Sequence, residues 1–144
     1  MHNKGFTLIE VLLSLALMAL LAVMSVPVYQ SFQVRNDLDI AAVTLAQTLR
    51  RAELLSQAVD GDMTWGVKIQ SGLIALFKGA SYVAREVNFD EIFTVPTSIT
   101  PSGAPEFVFA KLSGVPQSAG TVTFTSSINE TRVITVNARG TVSY

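Results

Sequence analysis

The stretch that decides the fold is Lys4–Gln30, KGFTLIEVLLSLALMALLAVMSVPVYQ. No charged side chain occurs from Val11 to Val34, yet Glu10 stands at the edge of this apolar run. A bilayer core about 30 Å thick requires roughly 20 apolar residues in a helix, which Val11–Val28 supplies when Phe6–Ile9 extends it. We therefore predict a transmembrane helix. A carboxylate in such a segment is costly, so Glu10 is expected to have a partner and a role.

The charges that flank this segment predict its orientation. Lys4 precedes it, whereas the nearest charges after it are Arg35, Asp37 and Asp39. Because basic residues favour the cytoplasmic side, Met1–Lys4 is expected to stay in the cytoplasm and the rest of the chain to be exported.

A secretory signal peptide and an ordinary single-pass anchor are the alternatives to this interpretation. A signal peptide ends in a small-residue cleavage site, and no clear Ala-x-Ala site follows the apolar run. Neither alternative explains Glu10.

The sequence Gly5-Phe6-Thr7-Leu8-Ile9-Glu10 after a short basic leader resembles the class III signal of type IV pilins and type II secretion pseudopilins. The resemblance implies that a prepilin peptidase cleaves between Gly5 and Phe6 and that the new Phe6 amine is N-methylated. It also implies that the Glu10 carboxylate neutralises the terminal amine of a neighbouring subunit during assembly. An α-amino group is largely cationic at neutral pH, and two opposite charges buried between helices are tolerable only as a pair. Pro27 falls where helices of this family are commonly kinked, since proline removes a helical hydrogen bond.

Composition restricts the function further. The chain of 144 residues allows one membrane segment and one small domain, and its net charge of −1 gives no general attraction to nucleic acid. There is no cysteine, in contrast to the many major pilins that close a C-terminal loop with a disulfide, which favours a minor pilin or pseudopilin. The single histidine, His2, lies in the leader. A mature chain without His or Cys excludes Ser-His-Asp and Cys-His catalysis and the usual zinc sites, so we expect neither enzyme activity nor a cofactor, although carboxylate-pair or Ser-Lys chemistry stays formally open.

The remaining sequence predicts a long helix and then a β-rich head. Apolar residues keep a helical period at Leu38, Ala41, Ala42, Leu45, Leu49, Ala52, Leu55 and Val59, and Asp60-Gly61-Asp62 predicts the stop. We assign residues 1–5 to the leader, 6–59 to the helix (transmembrane to about residue 28 and amphipathic beyond), and 60–144 to the head. Arg50, Arg51 and Glu53 are interpreted as solvated surface charges.

Strands are predicted at Thr64–Gln70 and Leu73–Lys78, because Ser71-Gly72 between them is a plausible tight hairpin turn. Further strands are predicted at Thr121–Thr125, where Thr alternates with Val122 and Phe124, at Arg132–Asn137, and at Thr141–Tyr144 after a turn. Ala80–Phe89 is a candidate for another strand. Four prolines predict an irregular stretch over about residues 95–120, with a short strand within Glu106–Leu112.

A long helix packed on an antiparallel sheet gives an α+β, pilin-like fold. The segments LAQTLRRAELLSQAV and RVITVNARGTVSY further resemble the GspH/FimT-type minor subunits.

Three sites outside the helix are weighed against plainer roles. Some FimT-type pilins bind DNA through basic residues near the C-terminus, and the candidates here are Lys111, Arg132 and Arg139; phosphate binding needs several such cations on one face. Asp60-Gly61-Asp62 has carboxylates that could begin a calcium loop but lacks the spacing of an EF-hand, so a turn is the preferred interpretation. Trp65 is expected in the core.

The sequence thus predicts a structural subunit of a type IV pilus or type II secretion pseudopilus, which would wait in the bacterial inner membrane before assembly. The resemblance implies as partners other pilins, the prepilin peptidase, the assembly platform with its motor ATPase, and membrane lipid. The rival interpretations are a DNA-binding pilin for DNA uptake, a major pilin, and a membrane-anchored enzyme or receptor. Pilus and pseudopilus are not distinguished, because both use the same signal and helix.

Overall fold

The computed structural model describes residues 5–144, apart from the side chains of residues 24–28. Helix α1 spans Leu8–Gln57. The predicted leader up to Lys4 lies outside the described residues. Pro27 falls within α1, but its side chain is among those left out, so a bend at this proline stays a prediction. Within the described part of the chain, no helix combines the length and the apolar character needed to cross a membrane.

The chain divides into two compact units, of which the first ends at Gln33 and the second is Val34–Tyr144. The division falls inside α1, earlier than the head boundary predicted at residue 60. The second unit therefore contains the amphipathic part of the helix together with every strand.

Helix α1 ends where the backbone turns left-handed. Val59, Gly61 and Asp62 have φ angles of 57°, 65° and 58°, and a short 3-10 turn occupies Asp60–Asp62. The predicted stop at Asp60-Gly61-Asp62 is confirmed.

Eight strands follow: β1 (Trp65–Gln70), β2 (Leu73–Lys78), β3 (Glu91–Thr94), β4 (Ile99–Gly103), β5 (Glu106–Phe109), β6 (Gly120–Ser126), β7 (Thr131–Val136) and β8 (Val142–Ser143). They form two antiparallel four-stranded sheets, one in the order β3-β2-β1-β5 and the other in the order β4-β6-β7-β8. The α+β fold class is confirmed, although the head has two sheets where the sequence suggested one.

The five strands predicted before and after the proline-rich stretch are found as β1, β2, β6, β7 and β8, close to their expected bounds. Two predictions for the middle of the head, a strand at Ala80–Phe89 and an irregular segment around Pro101, are wrong. Ala80–Phe89 is not a strand but a loop with a 3-10 turn at Val87–Phe89, and β3 begins after it. Strand β4 was not predicted because it contains Pro101. Proline is tolerated there because β4 is the edge of its sheet, where a missing N–H breaks no ladder.

The core joins the helix to both sheets. The predicted helical stripe is confirmed from Leu38 to Ala52, while Leu55 is only partly buried. The stripe belongs to one buried cluster with residues from both sheets, including Val67, Ile74, Phe107, Phe124 and Ile134. Trp65 is also in this cluster, so its expected core position is confirmed, and its indole N–H donates to the carbonyl of Asp60 at 3.0 Å.

Candidate functional site

The candidate site is the N-terminal segment from Gly5 to Glu10. Gly5, Phe6 and Thr7 precede the helix and are exposed, with 86% of Phe6 accessible to solvent. Nothing lies within 4 Å of where a Cβ on Gly5 would be. An exposed, non-helical peptide bond is the kind of backbone that a protease can engage. The Gly5–Phe6 bond thus has the accessibility that cleavage requires.

Glu10 lies in the first turn of α1 and is bonded to Thr7. Its Oε2 accepts the Thr7 backbone N–H at 3.1 Å and the Thr7 hydroxyl at 3.0 Å. In return, the Glu10 N–H donates to Thr7 Oγ1 at 3.4 Å. This reciprocal pattern is a capping box, in which a Thr at the N-cap and a Glu three residues later satisfy each other's backbone donors.

The pattern Thr7-x-x-Glu10 is visible in the sequence, so Glu10 has a capping role that its predicted assembly role did not include. In the isolated chain the carboxylate also faces the positive end of the helix dipole, which favours an anion at this position. Glu10 therefore has a local partner before any neighbouring subunit arrives.

The three DNA candidates are not brought together. Lys111 forms an ion pair with Asp62, beyond the end of α1, and this contact lowers the pKa of Asp62 from its ordinary value. Arg132 pairs with Asp39 at 2.7 Å. Asp39 and the helix end at Gln57 are about 27 Å apart along the helix, at 1.5 Å per residue. Arg139, in the turn before β8, has no ion-pair partner among the described residues. Two of the three cations are thus each paired with a nearby carboxylate, and these two pairs lie far apart.

Ion pairs instead fasten α1 to the sheets within the second unit. Near the start of this unit, Arg35 of the helix forms an ion pair with Glu130 at 2.8 Å, and Asp39 of the helix forms one with Arg132. Glu130 lies in the turn between β6 and β7, and Arg132 lies in β7. Arg51 reaches β3, where its two terminal nitrogens donate to the two carboxylate oxygens of Glu91, each at 2.6 Å. A bidentate pair of this kind fixes geometry as well as charge. Arg51 is exposed, as the sequence predicted, and it forms this ion pair at the surface.

The other two surface charges of that group also contact the sheets or their turns. Arg50 donates to the carbonyl of Val142 at 3.3 Å and lies over the Tyr144 ring. Glu53 is partly buried against the turn at Gly140, and this burial raises the pKa of its carboxyl.

The described residues contain no cluster of three or more His, Cys, Asp or Glu side chains that could hold a metal ion. At Asp60-Gly61-Asp62, the carboxylate of Asp62 is instead engaged by Lys111.

Comparisons with known proteins bear on the N-terminal segment and on the fold. Residues 1–26 match the family model of the prokaryotic N-terminal methylation motif. Two solved structures of the minor pseudopilin EpsH from the Type 2 Secretion System of Vibrio cholerae are similar to this chain, with TM-scores of 0.58 and 0.59 at 14% sequence identity. The alignments cover 74% and 76% of this chain and 94% of the EpsH chain in each case.

The likeness to EpsH shows the fold, and the motif accounts for the segment around Gly5 and Glu10. A motif of this type implies that the chain is anchored in a membrane and that its head is exported. Together, the methylation motif and the fold shared with EpsH support the resemblance to type IV pilins and pseudopilins that the sequence predicts.

Proposed function

We propose that this chain is a minor pilin or minor pseudopilin, a structural and non-enzymatic subunit of a bacterial type IV pilus or type II secretion pseudopilus. The observation that carries the proposal is the match of residues 1–26 to the methylation motif in a chain with the fold of a minor pseudopilin. The proposal covers both kinds of filament.

The processing steps follow from the motif. The prepilin peptidase cleaves the exposed bond between Gly5 and Phe6 on the cytoplasmic side of the inner membrane, and the Phe6 amine is then methylated. The mature chain keeps the apolar part of α1 in the bilayer, bent near Pro27, with the head exported. The platform protein and its motor then move the subunit into the filament.

Glu10 has two successive partners in this account. Before assembly its carboxylate is held by Thr7, at about 3 Å from two donors. During assembly it pairs with the Phe6 amine of the adjoining subunit. Loss of the capping contacts costs about 0.5–2 kcal/mol, whereas stranding one member of a buried ion pair costs about 3–5 kcal/mol. An unpaired Phe6 amine between packed helices is therefore more costly than a lost cap.

The experiment that tests the proposal is recovery of the chain in filaments. Filaments sheared from a host with its own assembly machinery are separated from membranes, and both fractions are probed for this chain. We expect the wild-type chain in the sheared fraction, at a low ratio to the main subunit. A chain confined to the membrane fraction while filaments of the host form normally would refute a filament role and favour an anchored receptor or enzyme.

A DNA-uptake role is the second candidate. Neutralising Lys111, Arg132 and Arg139 together would abolish DNA binding if this role were correct. The local ion pairs of Lys111 and Arg132 argue against it, because each cation must leave a carboxylate before it can contact a phosphate.

A further inference from the structure

A small cavity lies between α1 and the segment that follows β3. It has a volume of about 200 Å³ and is lined on the helix side by Asp37, Ile40 and Thr44, and on the other side by Val95 and Pro96. All of these residues belong to the second compact unit. Pockets for drug-sized ligands are usually about 300–1,000 Å³, so this cavity has the size for one side chain.

Asp37 differs from most acidic residues of this unit because its carboxylate has no partner. Seven ion pairs within the described residues engage the carboxylates of Asp39, Asp62, Glu86, Asp90, Glu91, Glu106 and Glu130. Glu53 accepts a hydrogen bond from Gln57. In the described part of this unit, only the carboxylates of Asp37 and Asp60 have neither an ion-pair partner nor a hydrogen bond.

The cations that pair with residues near this end of the second unit are directed elsewhere. Arg35 is held by Glu130, and Arg132 is held by Asp39, so both sides of the β6–β7 contact are already satisfied. No cation of this chain's described residues is within ion-pairing distance of Asp37. The carboxylate is half-buried at the cavity and available for an external cation.

The walls of the cavity restrict what that cation is. Ile40 is 55% exposed, so its aliphatic side chain is accessible at the cavity, whereas Val95 is buried. Lys and Arg place an apolar stem along apolar surface and a charged group at its end. A carboxylate beside aliphatic walls, in a cavity of this size, is complementary to such a side chain.

We propose that this cavity receives a lysine or arginine side chain of the adjoining filament subunit, with Asp37 as its ion-pair partner. The proposal rests on the proposed function, since it requires neighbouring subunits. Asp37 lies in α1 itself, a few residues beyond Val34, where the second unit begins, so the contact would be made by the same helix that enters the filament.

The test uses the full-length chain in a host that assembles filaments. Asp37→Asn keeps the size of the side chain and removes its charge; Asp60→Asn is the matched control, because Asp60 is also unpaired but is not among the residues that line this cavity. We expect Asp37→Asn to reduce recovery in sheared filaments about 5-fold or more, as for the loss of roughly 1 kcal/mol. Asp60→Asn is expected to behave as wild type, and both variants should keep the wild-type thermal midpoint.

A photo-crosslinking amino acid in place of Ile40 identifies the occupant. In the filament fraction, we expect crosslinks to a peptide of an adjoining subunit at or beside a Lys or Arg, with a yield that falls when Asp37→Asn is added. Crosslinks to lipid alone, or to a peptide without a basic residue, would overturn the proposal.

The two proposals fail in different ways. Equal incorporation of Asp37→Asn and wild type would overturn the cavity contact and leave the filament role intact. Absence of the wild-type chain from filaments would overturn both.

Discussion

Replacement of Glu10 by glutamine separates the capping contacts that the structure shows from the assembly role that we propose for this residue. Glutamine can take the place of glutamate in a capping box, so Glu10→Gln keeps the contacts with the Thr7 N–H and hydroxyl. The same change removes the negative charge. Glu10→Ala removes both the cap and the charge, and Glu10→Lys reverses the charge.

The expected sizes follow from the two kinds of contact. Loss of the cap costs about 0.5–2 kcal/mol. Loss of the charge leaves the Phe6 amine of the neighbouring subunit unpaired between packed helices, at about 3–5 kcal/mol, and 3 kcal/mol corresponds to roughly 100-fold in an equilibrium. We therefore expect Glu10→Gln to be nearly as defective as Glu10→Ala, because the charge dominates.

The assay is the ratio of filament to membrane chain for wild type, Glu10→Gln, Glu10→Ala and Glu10→Lys, expressed at equal levels. All four are expected in the membrane fraction, since the apolar segment from Val11 onward is unchanged. If Glu10→Gln assembled like wild type while Glu10→Ala did not, Glu10 would act as a helix cap and the charge-pair account would be refuted. Normal assembly of all three variants would dismiss both roles.

Three further predictions concern the head and are measured as thermal midpoints of the full-length chain in detergent. A Cβ on Gly66 would lie 2.5 Å from Cζ of Phe77 and 2.7 Å from the carbonyl oxygen of Phe107, so Gly66→Ala should destabilise the head by about 1–3 kcal/mol; an unchanged midpoint would contradict this close packing. Gly140 has a φ angle of 91°, and a Cβ added there would lie 2.9 Å from Oε1 of Glu53, so Gly140→Ala should destabilise the head by at least ~1–2 kcal/mol. Gly72 is the control, because it has a similar φ angle of 87° but open space around an added Cβ, so Gly72→Ala should cost only its backbone strain. Burial raises the pKa of Glu53 above its ordinary 4.5, so ionisation of this carboxyl destabilises the folded state above that pH. Glu53→Gln should therefore raise the midpoint at pH 7 and lose this advantage below pH 4.5. An equal difference in midpoint between the variant and wild type at both pH values would show that the charge is not responsible.

The parts of the fold that sequence predicted well are those with strong local signals. Strand β6 alternates apolar and polar residues, strands β1 and β2 flank a recognisable turn at Ser71-Gly72, and the stripe from Leu38 to Ala52 has a clear helical period. These patterns are decided by residues close in sequence, so they are readable from one chain.

The loop before β3 was not predictable in the same way. It is held by contacts such as Lys78 with Glu86 at 3.0 Å, Arg85 with Asp90 at 2.7 Å, and the Tyr82 N–H with Glu106 at 3.0 Å. The bond to Asp90 also raises the pKa of Arg85. Because these residues combine charge with apolar neighbours such as Val83 and Val87, the segment resembles a strand in sequence while its geometry depends on pairs of side chains.

The site was readable in part for the same reason. Gly5, Phe6 and Glu10 lie within six residues and carry a family signal, so they could be proposed from the sequence alone, and their roles stay predictions. The dispersal of Lys111 and Arg132 and the cavity at Asp37 depend on which distant residues meet them. Asp37 has the sequence signature of any surface carboxylate; its missing partner together with its place at the cavity distinguishes it.

The most direct test of the central claim is the mass of the N-terminal peptide, measured on protein recovered from a host with an active prepilin peptidase. The account predicts a chain that begins with N-methylated Phe6, which requires cleavage after Gly5 and then methylation. A chain that still begins at Met1 or His2 in that host would contradict the account, because an unprocessed anchor has no free Phe6 amine for Glu10 to neutralise.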